Sequence, residues 1–192
     1  MTEEKYFFEK KVYNQKGYKF RFKADKEILR IILNFKKAGR VLDLGCGEAG
    51  ISLNLAERGF DVTCIDISQT AITAIKKEAK RRKLKMSAIC EDLENFKPKE
   101  KYDIVLGMGI FHFLSKSQTL SLIDALKKKT NMGGIHIIDA FLEGDPSQEE
   151  DSEGYYFKEN ELKKFYFNWK IIDYEEYREG KSKLATLIAQ KA

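Results

Sequence analysis

The sequence is poor in the residues that hold metals and cross-links. Its 192 residues include two histidines, His112 and His136, and three cysteines, Cys46, Cys64 and Cys90. The cysteines have no close spacing, which argues against a disulfide framework, and so few histidines point to no metal site. Prolines are two, Pro98 and Pro146, and neither interrupts a run of periodic apolar residues. No apolar stretch approaches the ~20 residues needed to span a bilayer. The start, MTEEKYFFEKK, carries acids and lacks the apolar core of a signal peptide, so the expected compartment is the cytoplasm. Internal repeats and low-complexity tracts are missing as well.

What is there fits a folded domain. Hydrophobic residues make up 43% and charged residues 34%, a balance that excludes a disordered chain. The length suits one domain, 1–192, with a sizeable core. The net charge is +5, from 35 basic and 30 acidic residues. That is compatible with an anionic small molecule but falls short of a nucleic-acid footprint.

The rest is organised around Arg40–Gly50, reading RVLDLGCGEAG. Val41-Leu42-Asp43-Leu44 reads as a short buried strand, and a helix follows from about Ala49. A strand that runs through glycines into a helix is a ligand loop: glycine lets the backbone approach a ligand, and the helix start offers unpaired N–H groups. Gly45, Gly47 and Gly50 spell G-x-G-x-x-G, a dinucleotide fingerprint that is weak alone. Asp43, an acid at the strand's carboxyl end, suits a ligand that carries positive charge.

Around this loop, residues 1–23 are rich in lysine and aromatics (Tyr6, Phe7, Phe8, Tyr13, Tyr18, Phe20 and Phe22) without a clean period. They read as a flexible arm, a lid, or a terminal segment packed on the surface. Residues 24–140 read as the cofactor-binding half and 141–192 as a helix plus a closing hairpin. Ile28, Leu29, Ile32, Leu33 and Phe35 mark a helix from Asp25, ended by Gly39. After the glycine loop, a helix runs to Arg58 and a strand spans Phe60–Asp66. Asp66, nineteen residues after Gly47, ends that strand, where an acid accepts from ribose hydroxyls or caps a turn. Ser68 caps a helix over 69–82. Met86–Cys90 is a third strand, followed by Glu91-Asp92-Leu93; Asp92 reads either as acceptor for an adenine amino group, with Leu93 giving a backbone N–H, or as an exposed loop acid.

Tyr102–Leu106 reads as the fourth strand, with Gly107-Met108-Gly109 turning sharply above the sheet. Ser115 or Ser117 caps a helix to about Lys129, and Gly133-Gly134 turns into a fifth strand, Ile135–Ala140. Residues 142–154 read as an acidic surface loop, Lys158–Phe167 as a short aromatic helix, and Trp169–Tyr174 with Lys183–Gln190 as two last strands joined near Glu179-Gly180. Regular alternation of strand and helix argues for a parallel sheet covered on both faces, and the closing hairpin for an antiparallel last strand.

The Asp-x-Gly-x-Gly form of Asp43, Gly45 and Gly47 resembles motif I of the class I S-adenosylmethionine-dependent methyltransferases. More narrowly, LDLGCGEAGISLNLAERGFDVTCIDIS and the carboxyl-terminal YYFKENELKKFYFNWKIIDY and KLATLIAQK resemble the tellurite-resistance methyltransferase (TehB-like) family. Phe157, Lys158, Glu159, Glu161, Leu162, Tyr166 and Trp169 hold that family's places before its last two strands. The resemblance implies an α/β, Rossmann-like fold with a seven-stranded, mostly parallel sheet of order 3-2-1-4-5-7-6. It implies S-adenosylmethionine as cofactor, S-adenosylhomocysteine as product, and cofactor contacts at Asp43, Gly45, Cys46, Gly47, Asp66, Ile67, Glu91, Asp92, Leu93, Gly107 and Met108. There are departures. The family carries glycine where Ala49 stands, arginine where Gly50 stands, and arginine where Lys183 stands, and its last hairpin is longer.

Methyl transfer from a sulfonium asks the protein to bind the donor, aim the acceptor and exclude water. A soft anion such as selenite or tellurite, or a thiolate, needs no base; an alcohol or neutral amine does. His112, after the fourth strand, is the candidate for positioning the acceptor or removing its proton, or else packs at a helix start. Cys46 contributes backbone rather than a nucleophile, and Phe111 and Phe113 read as walls and core. Tyr6, Tyr18 and Arg21 would close the acceptor side if the arm is a lid. The partner expected is a small-molecule acceptor, anionic or a thiol, with the chain a monomer or homodimer. The other function classes are a nicotinamide-dependent oxidoreductase, suggested by the literal glycine fingerprint, and a non-catalytic S-adenosylmethionine-binding module. Absence of an Asn/Asp-Pro-Pro-Tyr/Phe motif argues against methylation of nucleic acid.

Overall fold

The computed structural model describes residues 7–149 and 154–192. The chain folds as two compact units, 1–95 and 96–192. Seven strands form one sheet in the order β3-β2-β1-β4-β5-β7-β6, the order expected. No helix among the described residues is long and apolar enough to cross a membrane.

In the first unit, α1 (Lys26–Phe35) leads into β1 (Arg40–Leu44), α2 (Gly50–Glu57), β2 (Asp61–Asp66), α3 (Gln69–Arg81) and β3 (Met86–Cys90). Asp25 caps α1 by accepting from the N–H groups of Glu27 (2.8 Å) and Ile28 (3.1 Å), and Ser68 caps α3 through the N–H of Ala71 (2.9 Å). α1 stops at Phe35, short of Gly39, because Lys36 is already extended. β1, β2 and β3 are parallel. Val41, Leu42, Leu44, Val62, Cys64 and Ile65 are buried, as strands covered on both faces require. α3 turns Ala71, Ile72, Ile75 and Ala79 inward. On its outer side Arg81 and Arg82 both pair with Glu78.

The second unit contains β4 (Tyr102–Met108), α4 (Lys116–Lys128), β5 (Thr130–Phe141), α5 (Glu161–Lys164), β6 (Lys170–Glu179) and β7 (Ser182–Gln190). α4 begins with a capping box between Ser115 and Gln118, which identifies Ser115 as the cap. β7 is antiparallel to both neighbours, β5 and β6.

Five expectations do not hold. Gly107 and Met108 do not turn: they extend β4, Met108 pairs with Asp139, and the turn falls at Gly109, whose φ is +61° and whose N–H donates to the Asp139 carbonyl (2.8 Å). Gly133-Gly134 lie inside β5. Tyr102 pairs with Thr130 but Ile104 with Ile135, so β5 carries a bulge there, and a Cβ on Gly134 would come within 2.6 Å of Thr130 Cγ2. The hairpin turn is Gly180-Lys181, since Glu179 already pairs with Ser182. Finally, α5 is a single turn, and the segment from 142 begins as packed structure. Leu142 bridges to Phe157, and Asp145 is buried, accepting from the N–H groups of Ser147 and Lys183 (2.8 Å each). Residues 150–153 of that loop lie outside the described residues.

His136 is fully buried in β5, between the Thr130 hydroxyl (2.7 Å) and the Tyr166 hydroxyl (2.9 Å), with the Trp169 ring 4.7 Å away. Burial, with help from the charges of Lys127 and Lys191, pushes it down to about 3, so the ring is neutral and structural. Tyr166→Phe leaves a buried ring nitrogen without its partner and is expected to lower stability by about 1–3 kcal/mol, read by urea unfolding.

Candidate cofactor site

The glycine loop is left-handed at alternate residues: φ is +61° at Gly45, +51° at Gly47 and +53° at Ala49. This coils the backbone between the end of β1 and the start of α2, and the turn is closed by the Ala49 N–H donating to the Cys46 carbonyl (2.7 Å). Each glycine answers a different demand. Gly45 supplies conformation. Gly47 also supplies room, because the Tyr13 hydroxyl lies 3.3 Å from where its Cβ would stand. Gly50 has ordinary φ, yet a Cβ there would run into the Lys23 carbonyl. The third glycine of the fingerprint therefore makes space for the chain's own arm.

Asp43, Asp66 and the Glu91-Asp92 pair stand at or just past the carboxyl ends of β1, β2 and β3, three neighbouring parallel strands. Asp43 is 7% exposed and its Oδ2 accepts from the Ser52 hydroxyl (2.7 Å), tying β1 to α2. Burial pushes its carboxyl up to about 7; the Ser52 hydrogen bond opposes this and the charge of Asp66 adds to it. Asp66 accepts from the Gly47 N–H on one oxygen and the Ser68 N–H on the other, both at 2.8 Å. Its carbonyl accepts from the Glu91 N–H (3.0 Å). Burial raises Asp66 too, more than its backbone donors lower it. No lysine or arginine pairs with Asp43 or Asp66 among the described residues. Asp92 Oδ1 accepts from the Glu94 N–H (3.0 Å) and caps the turn that holds Leu93. Ile67 accepts from the Cys90 thiol (3.3 Å) through its carbonyl. Cys46 is no nucleophile: its hydrogen bond with Cys64, together with burial, holds the thiol protonated.

Sequence reasoning missed Glu48 and Glu9. Glu48, inside the loop, accepts from the Tyr18 hydroxyl and from the N–H groups of Arg21 (2.9 Å) and Phe22 (3.1 Å). Glu9, in a π-helical turn over Phe8–Tyr13, accepts from the hydroxyls of Ser68 and Thr70 at the start of α3. Burial pushes Glu9 up, but its hydrogen bonds outweigh that and hold it below the usual carboxylate range. Between these anchors the rings of Phe8, Tyr13, Phe20 and Phe22 form a continuous row. The arm is thus laid over the glycine loop by polar ties at both ends. The only sequence signal for them was acids in unexplained places. Tyr6 lies outside the described residues.

In the second unit His112 occupies the single turn Phe111–Phe113 just after β4. Its ring lies against Phe113 (3.9 Å between centroids), edge-on to Phe141 (4.7 Å) and near Tyr156 (6.2 Å). A further acid, Asp139, stands near the end of β5 and was not singled out from the sequence. Its Oδ1 accepts from the hydroxyls of Thr186 (3.0 Å) and Tyr177 (3.4 Å).

Comparison with known proteins gives this arrangement a family. A model described as "Tellurite resistance protein TehB" matches residues 3–184. The chain belongs to the TehB family. A Haemophilus influenzae relative, "Probable S-adenosyl-L-methionine-dependent methyltransferase TehB", is 31% identical over 163 residues, 79% of this chain and 57% of the relative. The chain therefore spans little more than half the length of the curated TehB proteins it matches. "Hemagglutinin 1" of Eikenella corrodens is 29% identical over 137 residues, 71% of this chain and 46% of that protein. The crystal structure of TehB from Haemophilus influenzae matches with a TM-score of 0.80 at 28% identity, covering 98% of this chain and 67% of that one. A magnesium protoporphyrin IX methyltransferase from Synechocystis, solved with S-adenosylhomocysteine, shares the fold at a TM-score of 0.70 and 18% identity, covering 86% of this chain and 80% of that one.

Two outcomes follow from the loop. Asp43 is protonated in the folded state and ionised in the unfolded one between about pH 4 and 7, so its contribution to stability falls as pH rises through that window. Asp43→Asn removes the effect, and its melting temperature relative to the original chain should climb from pH 4 to 7 and level off above. The full swing is on the order of 2–4 kcal/mol. Gly50→Ala should expel the Lys23 carbonyl and free the arm, seen as faster amide exchange at residues 18–24 with the β1–β3 amides still protected.

Proposed function

We propose that the chain acts as one S-adenosylmethionine-dependent methyltransferase domain, with the described part of the arm, residues 7–23, as its lid and a small molecule as acceptor. The observation that carries this is a pair of buried carboxylates, Asp43 and Asp66, flanking a bare-backbone loop with no cationic side chain among the described residues to neutralise them. An unpaired buried carboxylate is costly unless a cation arrives. A nucleoside bearing an ammonium and a sulfonium fits that requirement, and the family and the fold point the same way.

When bound, the cofactor supplies an activated methyl group on a positively charged sulfur. The chain's own residues do the rest. Gly45, Cys46 and Gly47 present backbone to the amino-acid end, beside Asp43. Asp66 accepts from ribose hydroxyls on the lone pairs its two backbone donors leave. Ile67, Glu91, Asp92 and Leu93 frame the base. Tyr13 and Glu48 hold the arm down to keep water out. His112, framed by Phe113, Phe141 and Tyr156, orients the acceptor. The description of the family brings a chalcogen oxyanion to the fore as acceptor, with a thiol beside it.

Calorimetric titration with S-adenosylhomocysteine tests the reading. Binding is expected, weakened about 10–100-fold in Asp66→Asn, the scale of a charged hydrogen bond, while reduced nicotinamide cofactor should give no signal. No binding by the original chain, and no difference in the variant, would overturn it.

A further inference from the structure

The arm is tied to the first unit twice, and the two ties differ in kind. The one nearer β1 in sequence is tight. There the Lys23 carbonyl fills the space that Gly50 leaves, and Glu48 accepts from the Tyr18 hydroxyl and the N–H groups of Arg21 and Phe22. The other is made by a single turn, Phe8–Tyr13, none of whose residues is buried. It rests on Glu9, whose carboxylate accepts from the Ser68 hydroxyl and from the hydroxyl (2.6 Å) and N–H (3.3 Å) of Thr70. Between the ties lies Gly17, with φ at +88° and nothing but its chain neighbours within 4 Å of where a Cβ would stand. A segment with few buried contacts opens at low cost, and a left-handed glycine in open space absorbs the rotation.

What the loose tie holds down is Tyr13. Its ring packs beside Tyr18 (5.5 Å between centroids) and Phe20 (5.0 Å). Its hydroxyl stands 3.3 Å from the position of a Cβ on Gly47. Burial first, then the charge of Asp66, pushes the phenol above its ordinary value, so the hydroxyl keeps its proton. Gly47 and Asp66 are residues to which ligand contacts are assigned above. A loop bare of side chains allows a ligand to come close, and at Gly47 that approach is taken by the chain's own phenol. A ligand that reaches Gly47 must first displace it.

We propose that the Phe8–Tyr13 turn is a gate on the cofactor site, with Glu9 as its latch and Gly17 as its hinge. This rests on the S-adenosylmethionine reading and adds how that ligand enters and leaves. The free chain is closed by its own Tyr13. The ligand enters when Glu9 lets go of Ser68 and Thr70, and the latch re-forms once the ligand has taken the place of the Tyr13 hydroxyl at Gly47. The base of the arm, held by Glu48, stays put throughout. Glu9 makes no hydrogen bond to the glycine loop among the described residues, so it is a positioning residue. Its bonds are present in both closed states, free and liganded, and broken only in the open state between them. Their strength therefore sets the rates of entry and exit and leaves the equilibrium in place.

Surface plasmon resonance on the immobilised full chain, with S-adenosylhomocysteine in the flow, gives both rates. Glu9→Ala should raise association and dissociation alike by about tenfold, the scale of one charged hydrogen bond, with Kd within about threefold of the original. Unchanged rates overturn the inference. So does a Kd weakened through dissociation alone, which would make Glu9 part of what grips the bound ligand or supports its site. Thr70→Val removes the hydroxyl on the other side of the latch and should move both rates the same way by less; it serves in place of Glu9→Ala if that variant fails to fold. Amide exchange of the original chain without ligand needs no variant: residues 9–15 should exchange about tenfold or more faster than 19–24, and equal protection overturns the gate. If the original chain does not bind S-adenosylhomocysteine, the cofactor reading ends and the gate with it; binding with unmoved rates ends the gate alone.

Discussion

One carboxylate at the tip of β2 holds the first unit's functional edge together. Asp66 takes the N–H of Gly47 on one oxygen and the N–H of Ser68 on the other, while its carbonyl takes the N–H of Glu91. Through these three bonds it fixes the glycine loop, the start of α3 and the exit of β3. The loop needs such a tie, since three left-handed residues in five would otherwise leave its backbone donors to find water. The fixed loop then decides what else can approach it: Tyr13 over Gly47, and the Lys23 carbonyl against Gly50.

The same carboxylate is left electrically expensive. The charge of Asp66 raises the affinity of Asp43 for a proton, and that of Glu9, at the start of α3, does the same to Asp66. Several of the unit's cations pair with other acids. Arg81 and Arg82 pair with Glu78, and Arg82 also with Glu57, on the outward side of α3. A chain under no constraint but stability would replace buried, unpaired acids with apolar residues of similar volume. Their presence makes sense when a cationic ligand completes the charge balance, and the αL cap of α2 leaves helix-start N–H groups beside the acids for the ligand's own anionic end.

Much of this was legible in the chain, and the limits have physical causes. Parallel strands announce themselves as short apolar runs, and Asp25, Ser68 and Ser115 announce helix starts because capping is local chemistry. Asp43 was legible as a strand-end acid because a strand end followed by glycines has few structural uses, and Asp66 because it ends the next strand at a fixed distance from that loop. What failed was anything set by a partner strand. Gly107 and Gly133-Gly134 look like turn residues locally, yet the pairing of β4 with β5 keeps them in strands and moves the irregularity into a bulge. Gly50 looked like part of a cofactor fingerprint and serves the arm instead. Asp139 was invisible because its two partners arrive from residues 177 and 186, placed by a register that no local pattern encodes.

That last point bears on how far a family carries over. The family model matches residues 3–184, and the TehB crystal structure covers 98% of this chain at a TM-score of 0.80, so the fold carries over. What a site accepts depends on a few side chains, which 31% identity does not fix. A two-residue hairpin brings β6 and β7 together at Gly180-Lys181. Lys183 is drawn to the turn at 143–144, so its charge stabilises that turn rather than a ligand. The acid on the opposite face then has two hydroxyls and no cation. A fold can keep one ligand site and change another, because the two are built from side chains at different strand ends.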